Sequence, residues 1–579
     1  MIMNYRELKQ QHLQSGEIPN WYSTNALQFF MEKYSYKAES PLSREKAIAK
    51  ALSENAGDAY PEWWAIDPYT VGKTKEQVFF NVVWDGFAVH STPLKSNGGV
   101  PERGTTVSCS GQSLQNNIFS RYDTLTELAV FTKLSHGTSI SIDDWVGEGF
   151  DLGDGNYSEG VMPIVNDLIR VTDQVVQGTR RGSVGYYIGI DHADFYKVAE
   201  NLYKHPDSNN VGWIVRDSFI ARLAAGDEDA IARWEYMLYV RLSKGRGYLC
   251  FIDRMNRSKA QVFKDRNLTV KASNLCCEVL LPANEDYSFT CVIMNLNLAR
   301  YRDWPEHLVQ IVHMMQDANV TMYLKTIDGM KSHNKKAMQK AYKFTKEFRA
   351  VGTGVCGWHS LLMQEGIVVG SIPSFTLNAK VFRHIRNEAE KCNSWLASEY
   401  GEPEGLIGYG KRNATSLMLA PTKSSTELAY GSPTEGIGYE TALIKVKESA
   451  GGEIFRINTA LLNLLKQKGL YNDHVVSTIA TRKGTIAGLD DWFTKEEQEV
   501  FRIAFEIPME AVLNLASQRQ QWIDQQQSIN LYFSGSDSEE YVAKIHRMAA
   551  EDEGINSLYY CYSSRGGAYE RIVDCESCQ

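Results

Sequence analysis

A strand, a helix and a second strand can be recognised between residues 528 and 562, and this unit limits the possible folds more than any other feature. The strand SINLYF is followed by Ser534-Gly535-Ser536-Asp537, a turn that suits a helix N-cap. The helix then places four apolar positions on one face, at Tyr541, Ile545, Met548 and Ala549, before the second strand, NSLYYCY. A β-α-β connection is normally a right-handed crossover between parallel strands. The chain is therefore predicted to contain a parallel α/β sheet.

Other apolar runs of strand type occur along the chain, and helical runs separate several of them. Residues 1 to about 90 have a mostly helical pattern, and no tandem repeat or low-complexity tract is present. The predicted strands cover residues 183–190, 276–281, 289–295, 415–420 and 528–533. This pattern by itself indicates a large α/β protein.

Charge and composition exclude several classes of protein. A net charge of -9 over 579 residues disfavours a general nucleic-acid binder. The polar N-terminus does not have the pattern of a signal peptide, and no run of about 18 apolar residues exists, so a cytoplasmic protein without membrane contact is expected. Structural disulfides are then not expected among its ten cysteines, which are predicted to be buried apolar residues or chemically active ones.

The chain ends in a pair of cysteines, Cys575 and Cys578, in a CxxC arrangement. Such a pair can form a disulfide and exchange it with another thiol, and an exposed tail can be reached by a partner. The alternatives are a chance pair and half of a zinc site, but zinc would require two more ligands that the tail does not offer. A redox shuttle is the favoured interpretation.

A second cysteine segment is Asn274-Leu275-Cys276-Cys277-Glu278. In an extended strand, residues 274, 276 and 278 share one face, so an amide, a thiol and a carboxylate would point to one substrate. A buried cysteine beside a surface glutamate is the competing interpretation, and the residues alone slightly favour it. Cys277 would point to the other face and be structural.

The segment 417–427 is predicted to be a strand, a turn and the start of a helix. Pro421 suits a first helical turn, whose free N–H groups attract anions, and Thr422, Ser424 and Ser425 could add hydrogen bonds to a phosphate. An ordinary Ser/Thr cap is the alternative. The glycines of 352–357 match GxGxxG, but a helical segment precedes them where a dinucleotide fold requires a strand, so a Rossmann site is rejected.

Seven segments together resemble the large subunit of class I ribonucleotide reductase, in the same order, from about residue 90 to the C-terminus. They are NLCCEVLLP, CVIMNLNL, GVCGWHSLL, NATSLMLAPTKSSTE, RQQWIDQQQSINLYF, SLYYCY and the terminal cysteine pair. The resemblance implies a ten-stranded α/β barrel of two parallel half-barrels with a central finger loop, over residues 91–562. A mainly helical region, 1–90, would precede it, and a redox tail, 563–579, would follow it.

The resemblance also implies a role for each residue of the catalytic set. Cys276 would carry the thiyl radical, Glu278 would act as the base and Asn274 would orient the substrate hydroxyls. Three pairs would complete the set: Cys109 and Cys291 as the reducing pair, Cys575 and Cys578 as the pair that re-reduces it, and Tyr559 and Tyr560 as the radical relay. Taken alone, adjacent tyrosines are usually only good strand formers.

Nucleotide-binding residues follow from the same resemblance. The substrate would lie against Ser91, Thr92, Ser108, Pro421, Thr422, Lys423, Ser424 and Ser425. The loop that links an effector to substrate choice would contain Gln177, Gly178, Arg180, Arg181 and Gly182.

Two departures from the family pattern change the expected regulation. The segment before Ser91 is too short for the usual N-terminal ATP cone, so no cone is predicted. Gln112 stands where relatives have an effector-binding Asp, which puts effector binding in doubt.

The resemblance also implies cofactors and partners. No cofactor is expected on this chain, and a dimetal radical cofactor would lie in a separate beta subunit. Expected partners are that subunit, thioredoxin or glutaredoxin, and a ribonucleoside diphosphate. A nucleotide effector and a second copy of the chain are further candidate partners.

Three alternatives remain open. An adenosylcobalamin-dependent class II reductase is the nearest, although the tyrosine pair argues against it. A thioredoxin-linked thiol protein without radical chemistry would need only the terminal CxxC. A catalytically inactive nucleotide-binding regulator is disfavoured because every radical-site and redox residue is present.

Overall fold

The computed structural model describes residues 4–175, 182–449 and 452–564. Its helices are α1 Tyr5–Gln14, α2 Thr24–Lys33, α3 Pro41–Ser53, α4 Lys75–Trp84, α5 Thr92–Asn97, α6 Ile118–Lys133, α7 Met162–Gln174, α8 Phe195–Lys204, α9 Asp217–Ala224, α10 Glu228–Lys244, α11 Ile252–Ser258, α12 Gln261–Asp265, α13 Leu308–Asp328, α14 Ser332–Ala337, α15 Gln339–Phe348, α16 Trp358–Gln364, α17 Ile372–Tyr400, α18 Lys423–Thr426, α19 Thr459–Gln467, α20 Asp473–Thr481, α21 Lys495–Val500, α22 Met509–Gln520 and α23 Glu539–Glu551. Within the described ranges, no helix is both long and apolar enough to cross a bilayer.

The strands are short and most are fully buried, as expected for a sheet covered on both faces. They are β1 Ala88–His90, β2 Cys109–Ser113, β3 Gly137–Ser141, β4 Asp151–Gly153, β5 Asn156–Tyr157, β6 Val184–Gly189, β7 Asn210–Val215, β8 Tyr248–Phe251, β9 Phe289–Cys291, β10 Ile293–Asn297, β11 Gly352–Cys356, β12 Ile444–Ser449, β13 Gly452–Ile457, β14 Leu531–Phe533, β15 Ser557–Leu558 and β16 Cys561–Ser563.

The largest sheet forms one half of a barrel. Its order is β15-β8-β7-β6-β3-β2-β9, and its five inner strands, β2, β3, β6, β7 and β8, are all parallel. Helices connect successive parallel strands, as right-handed crossovers require. The edge strands β9 and β15 are antiparallel to their neighbours.

A second group of parallel segments forms the other half. β10 pairs with β11, and β11 is bridged to Leu417. Leu419 is bridged to Gln527, whose chain continues into β14, and β14 pairs with β16. The second half therefore contains five parallel segments, as many as the inner strands of the first sheet. They are β10, β11, residues 417–419, residues 527–533 and β16.

Two continuous stretches of chain join the two halves. The β9–β10 stretch lies in the large sheet at Phe289 and in the second half from Ile293 onward, and the β15–β16 stretch makes the same crossing. The predicted α/β barrel with two parallel half-barrels is therefore confirmed. The prediction of one strand over 289–295 was wrong, because the chain changes sheets at Val292.

Several local predictions can now be compared with the structure. The β-α-β unit is present as β14, α23 and β16, with its strands parallel. The strand predicted over 415–420 is reduced to isolated bridges at Leu417 and Leu419. The GxGxxG glycines lie in strand β11 itself and at Gly357, the N-cap of α16, and helix α15 precedes them.

A buried ion cluster fixes α13 against the loops after α15 and α17. The carboxylate of Asp317 accepts hydrogen bonds from Arg349 Nε at 2.9 Å, Arg412 Nε at 3.0 Å and Asn413 Nδ2 at 3.0 Å. Burial alone would raise the pKa of Asp317, but Arg349 and Arg412 outweigh it and hold the pKa below its usual value.

Asp317→Asn is expected to lower the free energy of unfolding by about 3 kcal/mol, because it leaves the buried guanidinium of Arg349 and the partly buried guanidinium of Arg412 without their carboxylate. Asp328→Asn is the matched control on the same helix, since Asp328 pairs with Lys335 with about half of each side chain exposed. That change should cost less than about 1 kcal/mol. Urea denaturation measures both, and equal losses would contradict the assigned role of the Asp317 cluster.

Candidate active site

Two buried cysteines face each other across neighbouring strands at the edge of the large sheet. Cys109 in β2 and Cys291 in β9 are direct partners in the antiparallel register. The backbone N–H of Ser108 donates to the carbonyl of Cys291 at 3.1 Å and fixes this pairing. The hydrogen bond with the Cys109 thiol, together with burial, raises the pKa of Cys291 well above its ordinary value.

The chain between α12 and β9 is a loop that contains the NLCCE segment. The Asn274 side chain holds this loop together: its Oδ1 accepts from the N–H of Glu278 at 3.0 Å and of Val279 at 3.2 Å. Its Nδ2 donates to Glu278 Oε1 at 2.7 Å and lies 3.5 Å from Cys109 Sγ. The loop thereby places a carboxylate beside the thiol pair.

The backbone of this loop differs from the sequence prediction. The predicted strand over 276–281 was wrong, because Cys277 has a φ of 66°, in the left-handed region that breaks the alternation of a strand. Gln526 and Ser557 hold this conformation, each donating to the Cys277 carbonyl at 2.9 Å. Asn274 and Glu278 therefore meet through a turn and not along one face of a strand.

Three reactive groups converge on one point. The sulfurs of Cys109 and Cys291 and a carboxylate oxygen of Glu278 lie within 4.8 Å of one another, and all three residues are buried. Glu278 is 2% exposed, so the alternative of a surface glutamate was wrong. Burial raises the pKa of Glu278 to about 7, although hydrogen bonds from Asn274 and Ser528 oppose the rise. A carboxyl group with this pKa can exchange a proton near neutral pH.

The Cys276 thiol is half-buried and packs against a cluster that includes Cys277, Tyr559 and Tyr560. The rings of Tyr559 and Tyr560 lie 4.2 Å apart between their centroids, in the connection between β15 and β16. Both tyrosines are almost fully buried, at 1% and 2% exposure. The structure therefore places the tyrosine pair beside the loop that carries Cys276.

The predicted substrate contacts come from two segments that lie together. Helix α18 packs against β1, which brings residues 422–426 close to the residues that follow His90. Tyr34 and Thr92 are linked through their hydroxyl oxygens at 3.2 Å. Among the predicted substrate-contact residues that the structure describes, the hydroxyls of Ser91, Ser108, Thr422 and Ser424 are buried without a hydrogen-bond partner in the protein. Buried hydroxyls without partners are unusual, and a bound ligand would account for them.

The expected helix start at Pro421 was wrong by two residues. Helix α18 begins at Lys423 and has four residues, and Thr422 before it has a φ of 36°. The helix is too short to supply the dipole on which the sequence argument relied. Hydroxyl groups, and not a helix terminus, are what this turn offers to an anion.

The remaining predicted residues include several that the structure does not describe. Gln177, Gly178, Arg180, Arg181, Cys575 and Cys578 lie outside the described residues. Gly182 is close to both α6 and α7, since an added Cβ would lie 2.5 Å from a Thr132 methyl group and 2.8 Å from the Thr172 carbonyl oxygen. Gln112 is buried, and its side-chain amide donates to Glu127 Oε2 at 3.3 Å and to the Thr124 carbonyl at 3.2 Å.

Sequence reasoning did not identify two residues that contact the site. Ser528 lies within hydrogen-bond distance of the Cys276 carbonyl and 3.1 Å from Glu278 Oε2. Met418 lies 3.9 Å from the Cys291 sulfur, measured to its own sulfur. Both belong to segments that carried the family resemblance, but no local pattern assigned a function to either residue.

The barrel brings together a thiol pair, a third thiol and a buried carboxyl group, which are the groups that a thiol-dependent oxidoreductase requires. The family model "Ribonucleotide reductase, barrel domain" matches residues 221–408 and 403–561. The chain belongs to the ribonucleotide reductase family, and the sequence-based assignment to the large, alpha type of subunit is confirmed.

Individual relatives agree with the family match. The putative ribonucleoside-diphosphate reductase large subunit of Frog virus 3 is 28% identical over 515 residues, covering 84% of this chain and 88% of that protein. The large subunit of Invertebrate iridescent virus 3 is 31% identical over 337 residues, covering 57% of this chain and 52% of that protein. The Actinobacillus ureae class Id ribonucleotide reductase alpha subunit superimposes with a TM-score of 0.84 at 28% identity, covering 95% of this chain and 99% of that one.

Proposed function

We propose that this chain is the catalytic subunit that reduces ribonucleoside diphosphates to deoxyribonucleotides by a thiyl-radical mechanism. The observation that carries the proposal is that reactive atoms of Cys109, Cys291 and Glu278 lie within 4.8 Å of one another. Glu278 belongs to the same loop as Cys276, the proposed radical residue. Reduction of a ribose requires a hydrogen-atom acceptor, a proton acceptor and two reducing equivalents. The site contains one group for each of these roles.

The first step activates the sugar. Cys276 loses a hydrogen atom to the tyrosine pair, and its thiyl radical takes the hydrogen atom from the ribose 3′ carbon. Glu278 accepts the 3′-hydroxyl proton, which its raised pKa and water-poor surroundings permit. The Asn274 amide, already bonded to Glu278, orients the substrate hydroxyls.

The second step removes the 2′ oxygen. The 2′-hydroxyl leaves as water, and Cys109 and Cys291 together supply two electrons and two protons while their sulfurs join in a disulfide. Their position as direct cross-strand partners supports this role, because the disulfide forms without a change of strand register. Cys276 then returns its hydrogen atom to the 3′ carbon and is again a thiyl radical.

The radical has to reach Cys276 from outside the chain. Tyr560 and Tyr559 would pass the oxidising equivalent inward from a separate beta subunit, which would hold the radical cofactor. The ring contact of 4.2 Å, and the packing of Cys276 against the cluster that contains both rings, support a relay in which each residue is oxidised in turn by one electron.

Turnover with and without each radical source tests the class of enzyme. The chain should form deoxyribonucleotide when a radical-generating beta subunit is added, and none with adenosylcobalamin alone. Turnover with adenosylcobalamin alone would overturn the class I assignment and favour the class II alternative.

The terminal cysteines give a further expected result. Changing Cys575 and Cys578 to Ser should stop multiple turnover with thioredoxin, because a large reductase cannot reach the buried Cys109–Cys291 disulfide directly. Activity with a small dithiol should remain, since a small reductant does not require the tail. Steady-state rates with both reductants measure the difference, and equal loss with both would argue against a shuttle.

A further inference from the structure

The three converging groups of the active site have the composition of a metal-ligand set. Two sulfurs and one carboxylate oxygen lie within 4.8 Å of one another, all from buried residues. Zinc binds sulfur at about 2.3 Å and carboxylate oxygen at about 2.1 Å in a tetrahedron, which puts its ligands roughly 3.5–3.8 Å apart. A contraction of about 1 Å, within reach of side-chain rotation, would satisfy that geometry.

We propose that the reduced active site binds one thiophilic divalent cation, such as Zn²⁺, through Cys109, Cys291 and Glu278. Three protein ligands leave a fourth position open, which water or chloride would fill. Each thiol gives up its proton to solvent when its sulfur binds the cation, so binding releases protons and changes no oxidation state.

The surroundings of these ligands favour binding because they already fix the ligand positions. Strand pairing holds Cys109 opposite Cys291. Asn274 Nδ2 and Ser528 Oγ hydrogen-bond to the two carboxylate oxygens of Glu278, at 2.7 and 3.1 Å. Groups that orient metal ligands from outside contribute strongly to metal affinity. Within the described part of the chain, no second cluster of His, Cys, Asp or Glu donors comes this close together.

The redox state of the chain controls this site. A Cys109–Cys291 disulfide engages both sulfurs and leaves one carboxylate, which is too few ligands for tight zinc binding. A bound cation in turn occupies the two electron donors and the base. The inhibition of nucleotide reduction that follows rests on the function proposed above, whereas the binding itself does not.

The test uses the full chain with Cys575 and Cys578 changed to Ser, which removes the tail thiols as competing ligands. Zn²⁺ competition with a chromophoric chelator should give one equivalent bound by the reduced chain and none by the disulfide form of the same polypeptide. Co²⁺ should show thiolate-to-metal charge-transfer absorption of a two-thiolate site. Equal Zn²⁺ binding by the oxidised and reduced chains would overturn the proposal. Misfolding of a variant could not explain that result, because both forms have the same sequence.

Two matched variants assign the ligands. Cys291→Ser should weaken Zn²⁺ binding by at least about 100-fold, since loss of a supporting residue alone costs 10–100-fold. Cys392→Ser should leave binding unchanged, because it changes a buried cysteine of α17 whose thiol donates to the Gln310 carbonyl in α13. Equal effects of the two changes would place the metal elsewhere.

Competition with a nucleotide separates this proposal from the proposed function. A ribonucleoside diphosphate should raise the apparent Kd for Zn²⁺ in the reduced chain, because both would occupy the same pocket. If Zn²⁺ binds as predicted but the chain forms no deoxyribonucleotide with a beta subunit, the metal site is supported and the proposed function is rejected. If turnover occurs and Zn²⁺ does not bind, the proposed function is supported and the metal site is rejected.

Discussion

Replacing Cys276 with serine is expected to abolish nucleotide reduction while leaving nucleotide binding near normal. A serine hydroxyl fills nearly the same space, but its O–H bond is too strong to form the radical that the thiol forms. The turnover rate should fall by at least about 10⁴-fold, the effect typical of removing a group that takes part in bond making. Rapid-quench measurement of deoxyribonucleotide, with equilibrium binding of the diphosphate, measures both quantities.

Cys277→Ser is the matched control for this result, because it changes the adjacent thiol in the same loop. Cys277 is buried, and its sulfur lies 3.2 Å from the Tyr187 hydroxyl, a contact that serine can retain. Activity should remain within a few-fold of the unchanged chain. If Cys276→Ser retains activity, the radical mechanism is rejected and the thioredoxin-linked thiol protein becomes the better interpretation.

The second large effect is expected at the tyrosine pair. Tyr560→Phe keeps the ring that contacts Tyr559 but removes the phenol hydrogen that a radical relay must give up and recover. Turnover with the beta subunit should fall below detection, at least about 10⁴-fold. Nucleotide binding should be unchanged, because the buried Tyr560 ring packs beside the Cys276 loop and keeps its shape.

Tyr562→Phe is the control for the relay. Its ring is the next along the chain of aromatic contacts, 5.8 Å from that of Tyr560. It stacks on Tyr532 at 5.1 Å, and a phenylalanine ring can preserve this packing. Turnover should therefore persist in this variant. A Tyr560→Phe chain that loses nucleotide binding as well would indicate a structural role for the hydroxyl.

The sequence predicted the parallel architecture well because β-α-β units have a strong local pattern. Residues 528–562 show an N-cap, a helical apolar face and two strands, and the structure contains these elements as β14, α23 and β16. The joining of the two half-barrels could not be predicted, because it depends on where the β9–β10 stretch changes sheets. That change occurs at Val292, inside an uninterrupted apolar run.

The candidate site shows the same division between local and long-range information. The family resemblance identified Asn274, Glu278, Cys109 and Cys291, and the structure brings these four residues together. Strand alternation did not explain why Asn274 meets Glu278. The left-handed turn at Cys277 is held by Gln526 and Ser557, about 250 and 280 residues later in the sequence. No local pattern can contain that information.

One measurement tests directly whether the Cys109–Cys291 pair supplies the electrons. The pre-reduced chain, with Cys575 and Cys578 changed to Ser, is mixed with a beta subunit and a ribonucleoside diphosphate but no external reductant. Peptide mapping should find one Cys109–Cys291 disulfide for each deoxyribonucleotide formed. Product without that disulfide, or an equivalent amount of disulfide that joins Cys276 instead, would contradict the account.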